Sequence, residues 1–238
     1  ALGKISAYSV CAREAAKLGA VASAAHAVCF ALGVATTQLC EAAAVATQTL
    51  LAREFYAEKA TNLKRSHRIL RLGLATGLGC SSLLATGTYL NRHNVVAGLT
   101  TDPKVRAACL AVFPLVMLCQ ALKGLAYPVN GLLMGALDWS AASVTMWASN
   151  IACLLVLARP TPSSLDKLWR GFAALFVVQC GAGLLRVASR TGPWTRLRRP
   201  SSLPGCAPPW AHSGPRVGVA DPRLHAGPDA VSPAPIQF

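Results

Sequence analysis

Long apolar runs dominate the chain. A helix needs about 20 apolar residues to cross a hydrocarbon core roughly 30 Å thick. Runs of that kind fall at about 18–51, 72–91, 107–127, 139–158 and 168–187. The first contains a single charge, Glu41, and the second is rich in Gly, Ser and Thr. The third is interrupted by Pro114 and carries Lys123, the fourth has no charge, and the fifth lies between Arg170 and Arg186. These Ala/Leu/Val runs do not alternate as barrel strands would, and backbone exposed to lipid must satisfy its own hydrogen bonds. The predicted fold class is therefore all-α membrane, with about five transmembrane helices. Residues 1–17 are expected to be the end of a preceding helix and a loop, and residues 18–190 the transmembrane unit. Residues 191–238 form a Pro/Gly/Arg-rich segment that cannot bury enough surface to offset its ordering entropy, and are expected to be a disordered tail.

Composition strengthens this picture. Apolar residues make up 53% of the 238 and charged residues 13%, with a mean hydropathy of +0.44. Soluble domains carry roughly 25% charge, so a soluble enzyme, a coiled coil and a disordered chain are all excluded. The net charge of +14 lies mostly between the apolar runs. There it fixes orientation, and no basic stripe interleaved with aromatics points to nucleic acid. Arg53, Lys59, Lys64, Arg65, Arg68 and Arg71 follow the first run, and Arg190, Arg196, Arg198 and Arg199 follow the fifth. If all five runs cross, both groups share one side, which is cytoplasm-like. The nine cysteines include no C-x-x-C pair, so neither a zinc site nor a disulfide framework is predicted, and no cofactor is expected. A membrane-embedded enzyme would need a nucleophile with its base, and Ser81-Ser82 has none in view. The opening Ala1-Leu2-Gly3, without methionine, is expected to lie inside a longer chain.

Polar groups within a span are costly and face cavities or partners. At about 100° per residue from Thr37, His26 falls near −20°, Gln48 near +20°, and Ser23 and Glu41 near +40°. This one-sided stripe points to a hydrated cavity, with Glu41 the candidate ion-responsive group and His26 and Gln48 further cavity candidates. In the stretch Gln120 to Asp138, Pro128 with Gly124, Gly131 and Gly135 would break or kink a helix. The plain reading is a helix end, a turn and a new helix with Asp138 near its N-terminus. Small residues such as Gly77, Ser81, Gly181 and Gly183 would allow close helix contacts.

These residues also carry a resemblance. Leu18 through His26, followed by Glu41-Ala-Ala-Ala-Val-Ala-Thr-Gln48, resembles the eighth helix of the multidrug and toxic compound extrusion (MATE) family, in its DinF-like branch with plastid members. Thr100-Thr-Asp-Pro-Lys-Val105 is similar to the segment before helix ten, and Gln120 through Asp138 to helix ten and the following loop. Leu168-Trp-Arg-Gly171 and Gly192-Pro-Trp194 fit the final helix and its exit. The likeness covers about residues 5–195, with Asn130 where the branch has Asp and Lys123 where it often has Asn. It implies most of one six-helix lobe, the C-terminal one, with the N-terminal lobe missing. It further implies a secondary antiporter that exports organic compounds in exchange for H⁺ or Na⁺ by rocking of two lobes. Ion-coupling or cavity roles are then expected for Glu41, Gln48, His26 and Gln120. The expected partners are the lipid bilayer, a small organic substrate and the coupling ion, and the expected location is a multi-pass membrane protein, with the plastid envelope one possibility alongside plasma and vacuolar membranes. The alternative is a non-transporting membrane fragment or a half-sized assembly subunit.

Overall fold

The computed structural model describes residues 2–56 and 62–197. Seven α-helices follow one another over these residues: α1 (Leu2–Lys17), α2 (Ala20–Phe55), α3 (Leu63–Leu90), α4 (Arg92–Leu99), α5 (Pro103–Gly135), α6 (Trp139–Ala158) and α7 (Leu165–Ser189). A 3₁₀ turn, Gly192–Leu197, comes after them. Helices α2, α3, α5, α6 and α7 are long and apolar enough to cross a membrane, which is the number that the apolar runs predict. The described part is an all-α membrane protein. The fourth run coincides with α6. The segment 198–238, with Arg198, Arg199 and Cys206, lies outside the described residues, as does Lys59.

Helix ends follow local chemistry. The Asp102 side chain accepts from the backbone N–H groups of Lys104 (2.7 Å) and Val105 (3.4 Å), with Pro103 opening α5. An N-cap carboxylate followed by proline is a strong start signal. Helix α3 starts well before the apolar run expected at 72, because Asn62 caps Arg65 N–H and Glu54 holds both Asn62 N–H (2.7 Å) and Arg65 (3.3 Å). The basic residues 64–71 therefore sit on the first turns of a helix and not in a loop. At ~1.5 Å per residue the 36 residues of α2 span about 54 Å, so this helix projects beyond a hydrocarbon core of about 30 Å.

Helix α5 forms the axis and packs against α2, α3 and α7, while α6 packs mainly on α7. The plain reading of Gln120–Asp138 holds, with α5 ending at Gly135 and α6 opening after Asp138, but the break expected at Pro128 needs correction, because α5 continues through it. Pro128 cannot donate to the carbonyl of Gly124, one turn earlier. Helix α3 closes on that position, where a Cβ on Gly77 would lie 2.4 Å from Gly124 O and 2.4 Å from Pro128 Cγ. Ser81 Oγ donates to Gln120 O at 2.5 Å. Neighbouring helices thus cover the backbone that the proline disturbs, as spanning helices commonly allow. Gly183 similarly lets α7 approach Val129, whereas Gly181 faces open space and mediates no close contact.

The buried core forms two clusters. One joins α1, α2, α5 and α7 through residues such as Phe113, Trp169 and Phe172. The other gathers Leu51, Phe55, Leu132, Leu133 and Trp194 at the opposite end of α5. The outer surface is apolar, with Leu83 77%, Leu185 72% and Leu155 64% exposed. Patches of this kind belong in lipid. The chain beyond 191, expected to be disordered from its first residue, is ordered to Leu197, and Trp194 is fully buried.

Candidate functional site

Three residues on one face of α5, spaced i, i+3 and i+7, hold the polar interior: Gln120, Lys123 and Tyr127. Lys123 Nζ donates to Gly33 O and to Thr37 Oγ1, both at 3.2 Å. It also lies 5.6 Å from the centroid of the Phe176 ring. Among the described residues no carboxylate lies within ion-pair distance of it. Two neutral oxygens and a ring face therefore solvate this ammonium. Glycine at position 33 is what allows the arrangement, because a Cβ there would meet Gln120 Nε2 at 2.6 Å and Lys123 Nζ at 3.4 Å. The Tyr127 hydroxyl bonds to Thr37 and Tyr8, and Glu41 is near enough to act on it electrostatically.

The four predicted residues occupy different layers. Glu41 is exposed, one turn beyond the buried Thr37, on the outer side of α2. Gln48 is half-buried, and its backbone packs so closely on α5 that a Cβ on Gly135 would lie 2.6 Å from Gln48 O. Gln120 is buried behind α2, where its Oε1 accepts from Thr36 Oγ1 at 2.8 Å. His26 is buried among aromatics, with its ring stacked on Phe172 at 6.1 Å and tilted against Trp169 at 5.8 Å. The stripe on α2 therefore straddles the edge of the buried face: His26 and Thr37 point in, and Glu41 points out. In the sequence Lys123 stands out only as a charge within the third run and a departure from the family pattern, and nothing there singles out Tyr8, Tyr127 or Thr37 as its companions. The spacing of Gln120, Lys123 and Tyr127 was the signal that could have found the cluster.

A second polar site closes one end of the bundle. Asp138 stands before α6 without capping it through its side chain. Its Oδ2 instead accepts from Arg186 Nε at 2.7 Å and Trp194 Nε1 at 3.0 Å. Burial alone would push this carboxyl up, but the Arg186 guanidinium and the Trp194 N–H outweigh it and hold Asp138 below the usual carboxylate range. Nearby, Tyr56 donates to Ala136 O at 2.8 Å, and Arg196 donates to Phe55 O. Leu137, at φ 54°, makes the left-handed turn that aims Asp138 inward.

The class is clear from these observations: a multi-pass helical membrane protein with a buried cation at its centre and one mid-span carboxylate on its outer face. Protein DETOXIFICATION 42 of Arabidopsis thaliana is 33% identical over 191 residues, which cover 77% of this chain and 35% of that protein. Protein DETOXIFICATION 43 of the same plant is 30% identical over 199 residues, 82% of this chain and 36% of that protein. Protein DETOXIFICATION 44, chloroplastic, also from Arabidopsis thaliana, is 27% identical over 192 residues, 80% and 36% respectively. No family model and no solved structure matches the chain. These relatives support a fragment of a MATE-family protein, and the chain spans about a third of their length.

Proposed function

We propose that the full protein carrying this chain is a secondary antiporter that exports small organic compounds in exchange for H⁺ or Na⁺, and that this chain forms most of its C-terminal lobe. The single observation that carries the reading is Glu41, an ionisable group midway along a spanning helix and exposed on the lobe's outer side. A charge at that depth belongs in a hydrated cavity and not in lipid. A second lobe facing α2 would create that cavity, as two-lobe transporters do. In this reading Glu41 binds and releases the coupling ion and Gln48 stands at the cavity's edge. Gln120 and His26 act from one layer behind, on the inner side of α2. The names of Protein DETOXIFICATION 44 and 45, both chloroplastic, support the plastid envelope as the membrane.

The test is substrate efflux driven by an imposed pH or Na⁺ gradient, with the full protein reconstituted in proteoliposomes. Gradient-driven efflux should fall at least tenfold in Glu41→Gln while the variant still melts like the wild type. Unchanged efflux with unchanged dependence on both gradients would overturn the role of Glu41. Absence of any gradient-driven efflux by the wild type would favour a non-transporting membrane protein.

A further inference from the structure

An open groove of about 710 Å³ lies between α2 and α3, away from the Lys123 cluster. Its walls are apolar, formed by Ala43, Ala46 and Leu50 of α2 and Ile69 and Leu72 of α3. Its mouth is basic, with Lys64, Arg65 and Arg68 lining it over the first two turns of α3. All three are exposed. Glu54 pairs with Arg65 at 3.3 Å, whereas Lys64 and Arg68 have no carboxylate partner among the described residues. The N-terminal end of α3 adds its own positive potential at this mouth.

The dimensions select the occupant. Along α3 the lining runs from Asn62 to Thr76, about 21 Å at ~1.5 Å per residue. That is about the depth of one leaflet with its headgroup region, half of a bilayer about 40–45 Å thick. A charged mouth at the interface above an apolar slot one leaflet deep matches a headgroup with its acyl chain. Basic pockets between spanning helices recognise anionic headgroups in this manner.

We propose that this groove binds an anionic phospholipid, its headgroup phosphate on Lys64 and Arg68 and one acyl chain between α2 and α3. The test uses the full protein in neutral detergent with added phosphatidylglycerol, phosphatidylcholine or glycerophosphate, read by native mass spectrometry and by melting temperature. Phosphatidylglycerol should be retained and should raise the melting temperature, with neither effect from the other two. Lys64→Gln with Arg68→Gln should weaken phosphatidylglycerol binding roughly 25-fold, at about fivefold per charge near a membrane surface. Ala46→Trp, which fills the slot but leaves the cations, should also abolish retention. Equal retention of phosphatidylcholine would overturn the proposal, as would an equal effect of glycerophosphate, which would mark a simple anion site. Wild-type binding in both variants would overturn it too. If either variant shows no melting transition, the three-ligand comparison on the wild type still decides.

Discussion

Lys123 and Asp138 are both buried ionic groups, one in α5 and one just beyond it, and they are solvated in opposite ways. At the end of the bundle, Asp138 meets an arginine and an indole N–H, an opposite charge backed by a second donor. At the centre, Lys123 meets a carbonyl, a hydroxyl and a ring face, all neutral. An ion pair of the first kind fastens elements together, because removing either partner strands the other in a low-dielectric place. A charge held only by neutral dipoles fastens little, since an apolar side chain of similar volume can replace it without orphaning an opposite charge. One end of α5 is thus a latch that joins α6, α7 and the 192–197 turn, and the middle holds a charge that fastens the helices little.

The sharpest way to break this comparison is Asp138→Ala, which should cost about 1.5–3 kcal/mol through the lost charged bond to the part-exposed Arg186 and the orphaned, buried indole N–H of Trp194. It would be read as a fall in the melting temperature of the full protein in detergent. Lys123→Met should instead be neutral or stabilising by up to ~2 kcal/mol in the same assay. Opposite signs for the two variants would sharpen the contrast, and a loss at Lys123 as large as that at Asp138 would erase it. Smaller still, Thr37→Val should cost about 0.5–1.5 kcal/mol by removing one acceptor from the ammonium, and part of this cost should disappear in a Lys123→Met background, leaving the share due to the bond to Gly33 O, a coupling that a double-mutant cycle measures.

The pH dependence has a definite sign. Asp138 is held below the usual carboxylate range in the fold, so its contribution is fully present above the unfolded carboxyl pKa of about 3.9. It fades as pH falls through the lower folded value. Melting curves should therefore show no Asp138-dependent change between about pH 5 and 8. The difference between wild type and Asp138→Asn should narrow only under strong acid.

Much of the fold was legible because the bilayer imposes length and polarity on each helix. The run at 139–158 was uncharged and became α6 without adjustment. The ends of α3 and α5 were less legible for different reasons. Asn62 and Glu54 extend α3 through a contact between residues eight apart in sequence, and Gly77 of α3 accommodates Pro128 from outside α5. Neither contact leaves a periodic mark in the sequence. Glu41 stood out because a single acid in an apolar run is conspicuous. The Lys123 site did not, because its ligands Gly33 and Thr37 come from a different helix, and a backbone carbonyl has no side-chain identity to read. The Asp138 latch was hidden similarly, since N-capping explained that aspartate locally while its real partners lie on α7 and in the 192–197 turn.

Glu41→Gln is expected to be the mildest of these changes for stability, within about ±0.5 kcal/mol for an exposed position, and the most consequential for transport. In the proposed antiporter this carboxyl exchanges an ion in step with substrate. The most direct measurement is infrared difference spectroscopy of the full protein in lipid, recorded on adding a transported substrate. A carboxyl or carboxylate band should change on substrate binding and vanish from the difference spectrum in Glu41→Gln. A band that persists in that variant, or no carboxyl signal with a substrate known to be bound, would contradict it.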